Sequence, residues 1–249
     1  MMSLVKVSLL ENVKRQYRYK LNAYIQVFMS LLIMQLLAIL FSLNGVGSMG
    51  SGMSLVNVQV NYYSADFVVV FTMLWGFITA IVITTKVQRN ADYIFVTNSI
   101  STSLANLLFL ATASVIGGIT AILSSYLLKI IIVLFKGGFY VSSVSDLALS
   151  LNLLIGTGVT ILYIFLVSIL GYFVGTLIQS HRLFAVVVPA MVFGGLLLGT
   201  MSGSDSLLEL FKFYFSESSL VVFTVKAVVT AGLLFLGAVA LSNRMEVKA

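Results

Sequence analysis

Long, nearly uninterrupted apolar runs constrain the fold of this chain more than anything else in it. A hydrocarbon layer about 30 Å thick is crossed by a helix of about 20 mostly apolar residues. The sequence offers six such stretches, at 24–43, 65–85, 105–135, 147–178, 183–201 and 219–242. Of its 249 residues 60% are hydrophobic and only 9% charged, too little polar surface to coat a water-soluble globule of this size. Inside lipid each backbone amide must be satisfied within its own segment, so the runs are read as helices. The expected fold is an all-α integral membrane protein with six transmembrane helices, forming a single transmembrane domain over residues 1–249.

The lengths of the runs carry further information. Residues 105–135, broken by Asn106, Gly117-Gly118, Ser124, Ser125 and Lys129, are too long for one perpendicular span at about 1.5 Å per residue and too short for two. With 147–178 they predict a tall helical hairpin. The first span carries Gln26 and Gln35, and the second has Asp66 at one mouth and Trp75 inside. Between these two spans, 44–52 reads as a flexible uncharged loop, and the alternation of Val56, Val58 and Val60 with polar residues predicts a short extended segment. Pro189, the only proline, is expected to kink the fifth span. Residues 202–218 are too short and too charged to cross, which predicts a re-entrant or interfacial piece before the last span.

The polar connections are as patterned as the spans. Residues 1–22 set Lys6, Lys14, Arg15, Arg18 and Lys20 against Leu9, Val13, Tyr17 and Leu21 at four-residue spacing. That predicts a retained amphipathic helix in the headgroup layer, its basic side toward anionic lipid. In 86–104, Val87, Ala91, Ile94 and Phe95 share a helical face, Arg89 and Asp92 lie off it, and Thr97-Asn98-Ser99 offers a cap for the next helix. A short surface helix here is either a simple polar connector or a docking element for a partner. Cytoplasmic termini place ten basic residues inside (Lys6, Lys14, Arg15, Arg18, Lys20, Lys86, Arg89, Arg182, Arg244 and Lys248) and three outside (Lys129, Lys136 and Lys212), with Lys226 within a span. That asymmetry follows the positive-inside rule and accounts for the net charge of +6 without nucleic acid.

Several chemistries find no support in the residues. There is no cysteine and a single histidine, His181, which reads as a surface residue beside Arg182, so a metal-ligand set is missing. No HExxH or GxxxxGK[ST] motif occurs, so the chain is not expected to be an enzyme or to split ATP itself. No carboxylate lies deep in a span, as an ion-coupled carrier requires. Lys226 either snorkels to the outer interface or contributes to a transport path. Gly171/Gly175 and Gly195/Gly199 are GxxxG pairs, which serve packing within the chain or dimerisation.

The order of these segments resembles the ABC-2-type permeases, the membrane subunits of bacterial ATP-binding-cassette exporters, over nearly the whole chain. Residues 97–101, Thr-Asn-Ser-Ile-Ser, resemble a Leu-Pro-Ile-Ser phrase of that family without its proline. The acidic-basic-Gly sequence that often precedes the phrase is absent, and Asn106 stands where a basic residue is usual.

The resemblance implies a multi-pass bacterial cell-membrane protein with both termini cytoplasmic and a cytoplasmic coupling helix at 86–97. Its partners would be a separate cytoplasmic ABC ATPase, which binds the ATP and Mg, and a second permease, identical or related. The coupling contacts implied are Arg89, Asp92, Tyr93 and Phe95. The substrate path implied, on spans one, two and five, comprises Gln26, Phe28, Gln35, Trp75, Phe77, Met191 and Phe193. The implied function is export of an amphipathic or hydrophobic cargo, with a cytolytic or antimicrobial peptide the leading choice. Two rival readings are a non-transporting scaffold or immunity protein and an uncoupled channel.

Overall fold

The computed structural model describes residues 9–43, 47–53, 56–62, 64–92, 98–136, 146–181, 183–191, 194, 213–214, 217 and 219–246. Seven helices and one hairpin follow in chain order: α1 (Leu9–Ala23), α2 (Ile25–Ser42), β1 (Gly47–Met53), β2 (Val56–Tyr62), α3 (Asp66–Thr84), α4 (Lys86–Asp92), α5 (Ser99–Lys136), α6 (Asp146–Ser180) and α7 (Leu220–Glu246). Residues 184–191 are also helical. Among the described residues five helices, α2, α3, α5, α6 and α7, are long and apolar enough to cross a membrane, the architecture of a multi-pass membrane protein. Of the span expected at 183–201, residues 192–193 and 195–201 lie outside the described residues, as does most of the segment 202–218.

The bundle is built around α3 and α6, which run side by side, with α2 and α5 against α3, and α5 and α7 against α6. In lipid, apolar burial gives helices little reason to associate, and close approach through small side chains takes over. Buried positions accordingly include Ala80, Ala105, Ala113, Ala121, Ala227, Ala231 and Ala238, with Thr72, Ser103 and Ser114 among them. Large apolar side chains such as Met29, Ile33, Leu36 and Leu40 of α2 and Val221, Val225, Val229 and Leu236 of α7 point outward.

The closest α3–α6 approach uses one of the two GxxxG pairs. A Cβ on Gly171 would lie 2.5 Å from the Phe77 carbonyl oxygen and 3.0 Å from its Cα, and one on Gly175 would meet Ile81 and Thr84. This pair therefore serves packing within the chain; Gly195 and Gly199 lie outside the described residues.

The expected tall hairpin is present as α5 and α6, 38 and 35 residues long, or about 57 and 53 Å of helix. α5 starts at Ser99, and the backbone carbonyl of Asn98 accepts the amides of Ser101 and Thr102 at 2.9 and 3.2 Å, so the helix begins within the Thr97-Asn98-Ser99 cluster. One feature differs from the sequence reading. The Gly/Ser-rich stretch expected as a flexible loop forms β1, antiparallel to the predicted extended segment β2, with Gly47 opposite Tyr62 and Met53 opposite Val56. The ladder closes the backbone hydrogen bonds that a loop would leave to solvent.

Candidate coupling surface at the basic end

α1 docks beside the first turns of α5, where that helix is longer than a membrane core requires. Val13, Gln16 and Lys20 form one buried stripe along α1, while Lys14, Arg15 and Arg18 are exposed. The basic side of this helix is therefore divided, and Lys20 departs from the expectation that it faces lipid. Its side chain is fully enclosed, at 0% exposure, because a partner waits for it: Lys20 Nζ donates to Asn106 Oδ1. Asn106 Nδ2 donates to Tyr172 Oη at 3.4 Å, and Tyr172 donates to Ser103 Oγ at 3.3 Å. One turn away, Gln16 Nε2 donates to Thr102 Oγ1 at 3.4 Å.

The same end carries two further ties. Tyr24, at the α1–α2 junction, donates its hydroxyl to Gln88 Oε1 of α4, and Ser99 Oγ donates to Ser242 Oγ of α7 at 2.9 Å. Side chains from α1, α4, α5, α6 and α7 are thus linked at one end of the bundle. Such ties hold the helices in register, while the enclosed Gln16 Oε1 makes no hydrogen bond among the described residues.

The residues singled out by sequence fall in different settings. Arg89 is half-buried on α4, and its amide bonds to the Thr85 carbonyl at 3.0 Å. Asp92 ends that helix, and Tyr93 and Phe95 lie outside the described residues. In the spans, Phe28 and Trp75 come together at 6.5 Å between ring centroids, with Phe109 at 6.2 Å from Phe28. Gln35 is buried, and its amide nitrogen, with two N–H groups, lies within hydrogen-bond reach of Thr120 Oγ1 at 3.0 Å, Thr72 Oγ1 at 3.2 Å and the Gly117 carbonyl at 3.4 Å, tying α2 to α3 and α5. Phe77 packs under Gly171. Gln26 is exposed, Met191 is 72% exposed, and Phe193 lies outside the described residues. Along the α2–α3 seam a crevice of about 270 Å3 is lined by Tyr24, Ser30, Met34, Trp75, Ile78 and Val82 among others. On its wall the Trp75 indole donates to Ser30 Oγ at 2.9 Å.

At the opposite end, Lys226 of α7 is held by the Glu217 carboxylate. It also bonds the Phe213 carbonyl at 3.4 Å and sits 3.8 Å from that residue's ring centroid. Tyr163 of α6 donates to the Tyr214 carbonyl at 2.8 Å. Lys226 is thus a clasp on the short segment preceding α7. Sequence reasoning missed the Lys20–Asn106 partnership, whose signals were a lysine on the buried stripe of α1 and a lone amide in an apolar run. No group of three or more His, Cys, Asp or Glu capable of holding a metal occurs among the described residues. In comparisons with protein-family models, with curated proteins and with solved structures, none matches this chain.

Proposed function

We propose that this chain is the permease subunit of an ATP-driven bacterial exporter, moved by a separate cytoplasmic ATPase of the cassette type that docks on the basic end. The observation that carries the reading is the junction of α4 with α1 and the spans through Tyr24–Gln88 and Lys20–Asn106. A loop helix serving only as a polar connector has no need of these ties. A helix that receives force does, because rigid-body motion passes only through elements that cannot slip past one another. The partner ATPase holds ATP and Mg, and Arg89, Asp92, Tyr93 and Phe95 form its docking surface. The basic end faces the cytoplasm, residues 183–201 complete a sixth span, and residues 205–217 form a re-entrant piece on the outer side.

A second permease, identical or related, completes the path, with Gln26, Phe28, Trp75, Met191 and Phe193 toward an amphipathic cargo such as a cytolytic or antimicrobial peptide, while Gln35 and Phe77 brace the helices behind it. The seam lined by Trp75, Ser30 and Met34 combines apolar walls with hydroxyl and indole groups, a mixture suited to such a cargo. The test is export from cells carrying Arg89→Glu or Asp92→Arg, with the amount of chain in the membrane measured alongside. Loss of export at unchanged abundance supports the reading, and undiminished export by both variants contradicts it.

A further inference from the structure

Beside the start of α4 lies a cleft of about 460 Å3, lined by Lys86, Ile178, Gln179, Ser180 and His181. Ligand pockets span roughly 300–1,000 Å3, so its size suits a small molecule or a headgroup. Its described polar lining consists of an ammonium, an amide, a hydroxyl and an imidazole, with no carboxylate among the described lining residues. Lys86, Ser180 and His181 are exposed. The amide nitrogen of Gln179 is enclosed and makes no hydrogen bond, a donor whose desolvation goes uncompensated. Gln179 lines the cleft, so a turn of its side chain toward an acceptor oxygen held there would remove that cost.

The cleft also sits at the carboxyl end of α6, whose partial negative charge disfavours anions. Part of that end is already occupied: the His181 amide closes on the Leu177 carbonyl at 3.2 Å, and the Phe184 amide on the His181 carbonyl at 3.0 Å. What remains is a full positive charge on Lys86 together with several neutral donors. A compact anion with several acceptor oxygens satisfies all of these, and Ile178 adds an apolar wall where an apolar tail would continue.

We propose that this cleft binds a phosphate group, and that its source is the headgroup of an anionic phospholipid. Inorganic phosphate shares the chemistry but leaves Ile178 uncovered. The inference is independent of whether the chain transports anything.

The test uses the full chain purified in a neutral detergent, titrated in separate arms with short-chain phosphatidylglycerol, phosphatidylcholine and inorganic phosphate, and read by native mass spectrometry. One phosphatidylglycerol is expected to bind saturably, with Lys86→Gln and Gln179→Leu each weakening it about tenfold through loss of a charge-assisted or buried hydrogen bond. Arg244→Gln, an exposed cation at the same end but outside the cleft, should change nothing. Inorganic phosphate binding as tightly as the lipid would support the phosphate site with a soluble source. Phosphatidylcholine binding as tightly as phosphatidylglycerol, or Arg244→Gln weakening binding as much as Lys86→Gln, would overturn the proposal. If Gln179→Leu disturbs α6, Lys86→Glu at its exposed position tests the same site, and unchanged phosphatidylglycerol binding there overturns the proposal too.

Discussion

Asn106→Leu isolates the enclosed lysine that joins α1 to α5. Asn106 accepts from Lys20 and donates to Tyr172, and Lys20 has 0% exposure, so solvent does not screen the loss. Hydrogen bonds to charged groups contribute about 1.5–3 kcal/mol, and deleting one partner of a buried polar pair is costlier than replacing both. Polar contacts between membrane helices average nearer 0.6 kcal/mol, so a value of about 2 kcal/mol is expected, or about a 30-fold shift in the unfolding equilibrium. Lys20→Met keeps the stem's packing and removes the charge, and its cost should be about 1 kcal/mol or less. The double variant should then be no less stable than Asn106→Leu alone, giving a coupling at least as large as the cost of Lys20→Met by itself. Reversible denaturation in mixed micelles measures all four proteins. Strict additivity, or a cost for Asn106→Leu within about 0.5 kcal/mol of zero, would refute the reasoning.

Three other perturbations separate packing from polar ties. Gly171→Val drives a side chain into the Phe77 backbone and should cost about 1–3 kcal/mol, whereas Gly232→Ala, with open space around it, should leave the melting temperature unchanged or slightly raised. Gln35→Leu removes an amide whose two N–H groups are shared among three acceptors. Thr72 and Thr120 keep the bonds their hydroxyls donate to their own helices, so the loss should be about 1 kcal/mol; a cost several times larger in thermal unfolding would contradict this. Glu217→Gln neutralises the clasp on Lys226, and faster hydrogen exchange at Phe213 and Tyr214 is expected, with exchange in α1 unaltered.

How much could be read from the chain depends on which forces leave a local trace. Span lengths did, because crossing a hydrocarbon layer requires consecutive apolar residues, and α2, α3, α5, α6 and α7 fall where the runs predict. The start of α5 at Ser99 left a trace in the Thr97-Asn98-Ser99 cluster, whereas the apolar run begins only at residue 105; Ser101, Thr102 and Ser103 lie in the helix between them, with α1 packed alongside. β1 escaped notice because Gly47, Ser48, Gly50, Ser51 and Gly52 have low strand propensity, and its partner supplies the β-branched residues. A helical wheel places Lys20 between Leu9 and Val13, within the apolar face itself, but the partner that lets it stay there, Asn106, is 86 positions away. The Gly171/Gly175 pair suited two roles equally in sequence, and the proximity of Phe77 decided between them. Among the residues proposed for a path, Gln35, Phe28 and Trp75 stood out as polar or aromatic members of apolar runs, but their mutual placement depended on helix rotation.

ATP hydrolysis by the affinity-purified chain and whatever accompanies it from its native membrane tests the proposed dependence on an outside motor most directly. A separate cassette ATPase should co-purify, bring vanadate-sensitive hydrolysis with it, and be lost on Arg89→Glu while the chain itself remains folded. A preparation that exports cargo with no such subunit present, or an ATPase that stays bound and fully coupled to Arg89→Glu, would contradict it.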